Sequence, residues 1–100
     1  MRANIKGRTL YVLLDTGSDA TIAPLDLVRK YHCRVRPAEK QVFKAANGSD
    51  VTVTGTAVLP LRINGRLMST PVLVSADICE VILGYGWLKD NDGEWHMGRG

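Results

Sequence analysis

Five consecutive residues of this 100-residue chain, Asp15-Thr16-Gly17-Ser18-Asp19, bring together groups suited to acid/base chemistry. They follow directly on Thr9 to Leu14 (TLYVLL), an apolar, β-branched run too short for a helix, which predicts a strand. A carboxylate delivered to the end of a buried strand costs on the order of several kcal/mol unless it is hydrogen-bonded, paired or protonated. Gly17 lets the backbone approach closely, and Thr16 and Ser18 supply hydroxyls that hold the loop or the acid. Asp19 places a second carboxylate four residues on. An Asx-type turn capping a strand end accounts for Asp15-Thr16-Gly17-Ser18 equally well. The surrounding elements have to decide between the two readings.

Those elements read mostly as strand. Thr21 to Ala23 is short and extended, Pro24 sits where a first-turn proline belongs, and Leu25, Leu27, Val28 and Tyr31 form one face of a short helix ending near His32. Gln41 to Ala46 and Ser49 to Thr54 flank Asn47-Gly48, a strong hairpin signal because a type I′ turn needs positive φ at both central positions. With that turn, Ala46 opposes Ser49, Lys44 opposes Val51 and Phe43 opposes Thr52. Val58 to Ile63 and Leu67 to Ser75 flank a second such turn, Asn64-Gly65. Glu80 to Leu83 is a short apolar strand stopped by Gly84, Tyr85 to Asn91 predicts a helix, and Glu94 to Met97 a terminal strand. The order of turn, strand, glycine stop and helix occurs twice, from Ile5-Lys6-Gly7-Arg8 and from Ile63-Asn64-Gly65-Arg66. That echo suggests a pseudo-twofold domain.

Composition narrows the choice. At 11.0 kDa and 45% hydrophobic residues the chain makes one small domain with one core, which excludes a two-domain enzyme with a cleft between its halves. Thirteen Lys+Arg against 10 Asp+Glu give a net charge of +3, too mild and scattered to argue for nucleic acid. The basic pairs Arg29-Lys30 and Arg34 with Arg36 read as solvated surface. The longest apolar runs, such as Leu10 to Leu14 and Val72 to Val74, are strand-sized, so no membrane span is expected. The first residues lack a charged-then-apolar leader pattern. Cys33 and Cys79 belong to no ligand cluster; they read as reduced thiols of an intracellular protein, and no metal site is expected.

Leu13-Leu14-Asp15-Thr16-Gly17-Ser18-Asp19-Ala20-Thr21 resembles the active-site segment of the retropepsin-type aspartic proteases of retroviruses and LTR retrotransposons. Val81-Ile82-Leu83-Gly84 resembles that family's second motif, aliphatics and a glycine followed by a helix, and Phe43 to Gly48 stands where the family has its flap hairpin. The fuller string Ile82 to Leu88 is most similar to the Ty3/Gypsy-type version. The resemblance covers about residues 5 to 97 in the right order. It departs at Tyr85, where retroviral enzymes carry Arg, and at Gly86, where retrotransposon relatives often carry Asp; Asp19 then has to find its donor elsewhere.

The resemblance implies an all-β, closed acid-protease barrel with one or two short helices, filling residues 1 to 100 and working as a homodimer with a flap on each subunit. It implies an aspartic endopeptidase, without cofactor, that processes a retroviral or retrotransposon-type polyprotein in the cytoplasm or a virus-like particle. Such proteolysis needs two carboxylates sharing a proton around one water, one acting as base and the other as acid. For aspartic proteases it is established that carboxylates held about 3 Å apart do not both ionise, so their titration belongs to the pair. This chain has a single Asp-Thr-Gly; Asp50-Val51, Asp77-Ile78 and Asp92-Gly93 do not qualify. The second carboxylate is therefore expected from another copy, across a C2 axis.

On this reading Asp15 is catalytic, Thr16 braces the two loops, and the Gly17 carbonyl accepts a substrate N–H. Ser18, Asp19 and Ala20 line the cleft floor, and Ile22 and Ile82 wall side-chain pockets or serve as ordinary core. Ala45, Ala46, Asn47 and Gly48 form a small-residue flap tip over a peptide bound as an added strand. Arg2 to Ile5 and Glu94 to Met97 become dimer-interface strands, with Trp95 either there or in the core, and Gly98-Arg99-Gly100 a frayed end. Rival readings are a cellular retropepsin-like domain of Ddi type that binds or dimerises, a phosphate-binding module of the actin/Hsp70 kind, which needs far more chain, and a basic nucleic-acid-binding domain.

Overall fold

A computed structural model describes residues 2–15, 20–44 and 48–90. The chain runs β1 (Arg2–Ile5), β2 (Arg8–Leu14), β3 (Ile22–Pro24), α1 (Leu25–Lys30), β4 (Arg36–Lys44), β5 (Asp50–Ile63), β6 (Arg66–Ser75), β7 (Val81–Leu83) and α2 (Tyr85–Asp90). The sheet order is β1-β2-β7-β3-β6-β5-β4, and an additional β1–β5 pairing closes six of the strands into a barrel, leaving β4 outside on β5. This is the expected all-β closed barrel with two short helices.

The sequence echo has a counterpart in the pairing. Exchanging β1, β2 and β3 for β5, β6 and β7 turns the antiparallel β1–β2 pair into β5–β6 and the parallel β2–β7 pair into β6–β3. It leaves β1–β5 and β3–β7 in place. Both hairpins turn through two residues at positive φ, Lys6-Gly7 at 48° and 86° and Asn64-Gly65 at 53° and 78°, as a type I′ turn requires. β4 has no counterpart in the first half.

Period-two alternation builds the core. β5 is one 14-residue strand with the burial pattern eBiBeBiBeBiBeB rather than the two runs expected from sequence. Gly55 lies at a register shift against β6, between Val53 and Gly55, and the strand continues through it. The odd-numbered residues Ala57, Leu59, Leu61 and Ile63 join Ile5, Val12, Val28, Val74, Val81, Leu83 and Trp87 in the main core. Val51 and Val53, on the same face further along, join Ile22 in a second cluster with Phe43, Leu73, Ala20 and Ile78 packed against it.

Two expectations need correction. β4 begins at Arg36 rather than near Gln41, although all its residues but Phe43 are exposed, because it is an edge strand; Pro37 and Lys40 lie on that edge. The β4–β5 register also differs by one residue: Lys44 opposes Asp50, Phe43 opposes Val51 and Val42 opposes Thr52. The reason is side-chain partition. This register puts Phe43 beside buried Val51 and lets the Lys44 ammonium meet the Asp50 carboxylate at 2.7 Å, whereas the expected one set Lys44 against Val51.

Arg2–Ile5 is a barrel strand of its own chain. It pairs with β2 along its length and with β5 at Asn4 and Ile5, and Ala3 and Ile5 are buried. Trp95 and the rest of Glu94 to Met97 lie outside the described residues.

Candidate active site

Asp15 stands one residue beyond β2, and its position follows from strand pairing. Parallel β7 matches Val12, Leu13 and Leu14 with Val81, Ile82 and Leu83, and the ladder runs one step further as the Asp15 N–H donates to the Leu83 carbonyl at 3.0 Å. Alternation does the rest. Val12, Val81, Leu83 and Ala23 face the main core, so Leu13, Ile82 and Ile22 face the other side of the sheet, and Asp15 has the parity of Leu13. The half-buried carboxylate is therefore presented beside an apolar floor of Leu13 and Ile82. That floor is open: Leu13 is 45% exposed, although the flanking Val12 and Leu83 are buried.

Of the residues expected at the site, Asp15, Ala20, Ile22, Gly48 and Ile82 are described. Thr16, Gly17, Ser18 and Asp19, with Ala45, Ala46 and Asn47, lie outside the described residues. Ile82 pairs with both Leu13 and Ile22 and stays half-buried. Ile22 is 3% exposed and packs with Val51 and Val53, which is the core alternative of the two roles open to it. Ala20 is half-buried against the same cluster. Gly48 is exposed at the end of the β4–β5 hairpin, at φ 86°, where an L side chain would be strained.

Two site residues were missed by sequence reasoning. Leu13 was quoted in the active-site segment without a role, although its parity with Asp15 was available as a signal. Thr21 was quoted without a role. Its Oγ1 accepts the N–H of buried Gly84 at 3.1 Å, and its carbonyl accepts the Leu73 N–H at 2.9 Å. Thr21 thus pins the glycine that ends β7, one residue from the carbonyl that holds Asp15. A hydroxyl four residues after the glycine of Asp-Thr-Gly carries no spacing rule that would have flagged it.

A cavity of about 1070 Å³ lies beside Ala20 and Thr21. Its walls include Arg34, Arg36, Met68, Val72 and Trp87, and no carboxylate lines it among the described residues. Among the described residues, no helix is long and apolar enough to cross a membrane.

Comparison with known proteins bears on both fold and family. No curated protein matches the chain in sequence. The solved structure of the EIAV protease complexed with the inhibitor HBY-793 aligns with a TM-score of 0.70 and 24% identity, over 92% of this chain and 86% of that one. The retroviral protease-like domain of Ddi1 from Leishmania major aligns with a TM-score of 0.65 and 14% identity, over 91% of this chain and 72% of that one. At such identities the likeness establishes the retroviral-protease fold. The family profile for gag-polyprotein aspartyl proteases matches residues 1–90, so the chain, with Asp15 at the end of β2, belongs to that retropepsin-like family.

Proposed function

We propose that the chain is one half of a homodimeric aspartic endopeptidase, in which two Asp15 carboxylates meet across a C2 axis around one water. The observation that carries this reading is a single Asp-Thr-Gly whose aspartate is held at the open end of a barrel strand, in a chain of this family. One carboxylate takes a proton from the water, which attacks the scissile carbonyl. The other, protonated, donates to the carbonyl oxygen; as the tetrahedral intermediate collapses, the first passes the water's proton to the leaving amine and the second regains a proton from a hydroxyl of the intermediate. Thr16 braces the paired loops, the Gly17 carbonyl takes a substrate N–H, and Ser18, Asp19 and Ala20 line the floor. Ile82 walls a pocket with Leu13, and Ile22 supports Ile82 from the core cluster. The β4–β5 hairpin serves as the flap, with Ala45, Ala46, Asn47 and Gly48 closing over an extended peptide and excluding water.

The substrate is a polyprotein of the Gag–Pol kind, a retrotransposon-type assignment that rests on the string Ile82 to Leu88 and the family of the chain. The likeness to the Ddi1 domain supports a second reading, a cellular domain acting mainly in binding or dimerisation. One pair of measurements separates them. Asp15→Asn abolishes cleavage of a Gag–Pol-like polyprotein while leaving the far-UV circular dichroism unchanged, and the wild type sediments as a concentration-dependent dimer. A fully active monomer, or an Asn variant that still cleaves, refutes the shared dyad. A wild type that dimerises without cleaving supports the second reading.

A further inference from the structure

Resting on the proteolytic reading, we propose that Asp77 is a positioning residue that latches the β4–β5 hairpin to the strand beside Asp15. The observation lies where β6 gives out. β6 ends at Ser75, opposite Val53, while β5 runs on toward the hairpin tip. Thr52, the next residue on that extension, has its N–H accepted by a side chain: the Asp77 carboxylate takes it at 2.8 Å. The carboxylate is itself aimed. Ser75 is fully buried, and its Oγ accepts the Asp77 N–H at 3.1 Å, folding the chain back immediately after the strand. Ile78, the following residue, packs into the cluster of Ile22, Val51 and Val53 beneath the hairpin.

This segment connects the hairpin base to the site in a few covalent steps. After Ile78 the chain enters β7, whose Ile82 pairs with Leu13 and Ile22 and whose Leu83 carbonyl holds the Asp15 N–H. Asp77 extends the ladder past the end of β6 by one charge-assisted hydrogen bond, so the base of the hairpin and the approach to β7 move as one body. Releasing that bond lets the hairpin swing independently of the floor it has to cover. The cost falls on holding substrate under the hairpin and not on proton transfer at Asp15, which Asp77 does not touch.

The test uses the full chain with Asp77→Ala and Asp77→Asn. A hydrogen bond to a carboxylate at an exposed site is worth a factor of about three to ten in local opening. In D77A the Thr52 amide exchanges faster by that factor, KM for a peptide substrate rises about as much, and kcat stays within about twofold. D77N keeps an acceptor oxygen and restores most of both. Unchanged Thr52 exchange in a folded D77A overturns the latch; faster exchange with unchanged KM overturns the positioning role; D77N behaving as D77A removes the hydrogen bond as the cause. Should the wild type fail to cleave any peptide, the proteolytic reading fails, while the exchange measurement still decides the latch.

Discussion

Thr21→Val tests whether the end of β7 is held by one hydroxyl. Valine has nearly the volume of threonine and is more apolar, so packing alone predicts no loss, or a gain, at this half-buried position. Hydrogen bonding predicts the opposite sign. The Gly84 N–H is buried, and in the variant it faces a methyl group where the Thr21 oxygen stood at 3.1 Å. An orphaned buried donor costs about 1–3 kcal/mol; with Thr21 partly open to water, the lower half of that range applies. For a domain of this size that amounts to a fall of roughly 5–15 °C in melting temperature. The decisive assay is urea unfolding of wild type, T21V and T21S at one fixed protein concentration, because self-association makes apparent stability concentration-dependent. The expected order of midpoints is wild type, then T21S, then T21V, with a common m-value. T21V within about 0.5 kcal/mol of wild type, the range of an ordinary surface change, refutes the argument that Thr21 anchors Gly84.

Two further variants probe the hairpin. Gly55→Ala places a methyl 2.9 Å from Val35 Cγ1 and 3.0 Å from the Arg36 carbonyl oxygen, and because the second contact is backbone it destabilises the domain by about 1–3 kcal/mol, read from the unfolding midpoint. The Lys44–Asp50 pair is short at 2.7 Å, but its side chains are 73% and 59% exposed; a double-mutant cycle gives a coupling below about 1 kcal/mol that fades in high salt. A larger, salt-insensitive coupling would show that this pair determines the β4–β5 register.

Local chemistry was readable wherever a residue type admits few conformations. Asn64-Gly65 demanded a type I′ turn and made one, Gly84 stopped a strand, and Pro24 opened a helix at Leu25. The alternation of β5 was equally plain, although Gly55 invited a break that the neighbouring strands override: β4 and β6 both pair at that residue and carry the strand through it. β4 was half missed because an exposed edge strand shows little hydrophobic alternation to detect. The place of Asp15 just beyond a strand was legible from the apolar run Thr9 to Leu14. Thr21 and Asp77 were not, since each acts on a backbone N–H that is 63 or 25 residues distant in sequence.

The string from Leu13 to Thr21 was enough to place a lone carboxylate at the end of an apolar strand, a property of residue type and short spacing that no distant contact needs to complete. The second copy is what the family resemblance of that string and of Val81 to Gly84 implies. Tertiary structure alone decided which strands meet. It set β7 parallel to β2, so that Leu83 holds Asp15, closed the barrel through β1 and β5, and put Leu13, Ile82 and Ile22 on one face of the sheet, where only Ile22 is buried, in the second apolar cluster. It also decided the hairpin register. A shift of one residue exchanges the two faces of β4 against β5, and the apolar cluster beneath Phe43 and Val51, with the Lys44–Asp50 pair on the opposite side, distinguishes them.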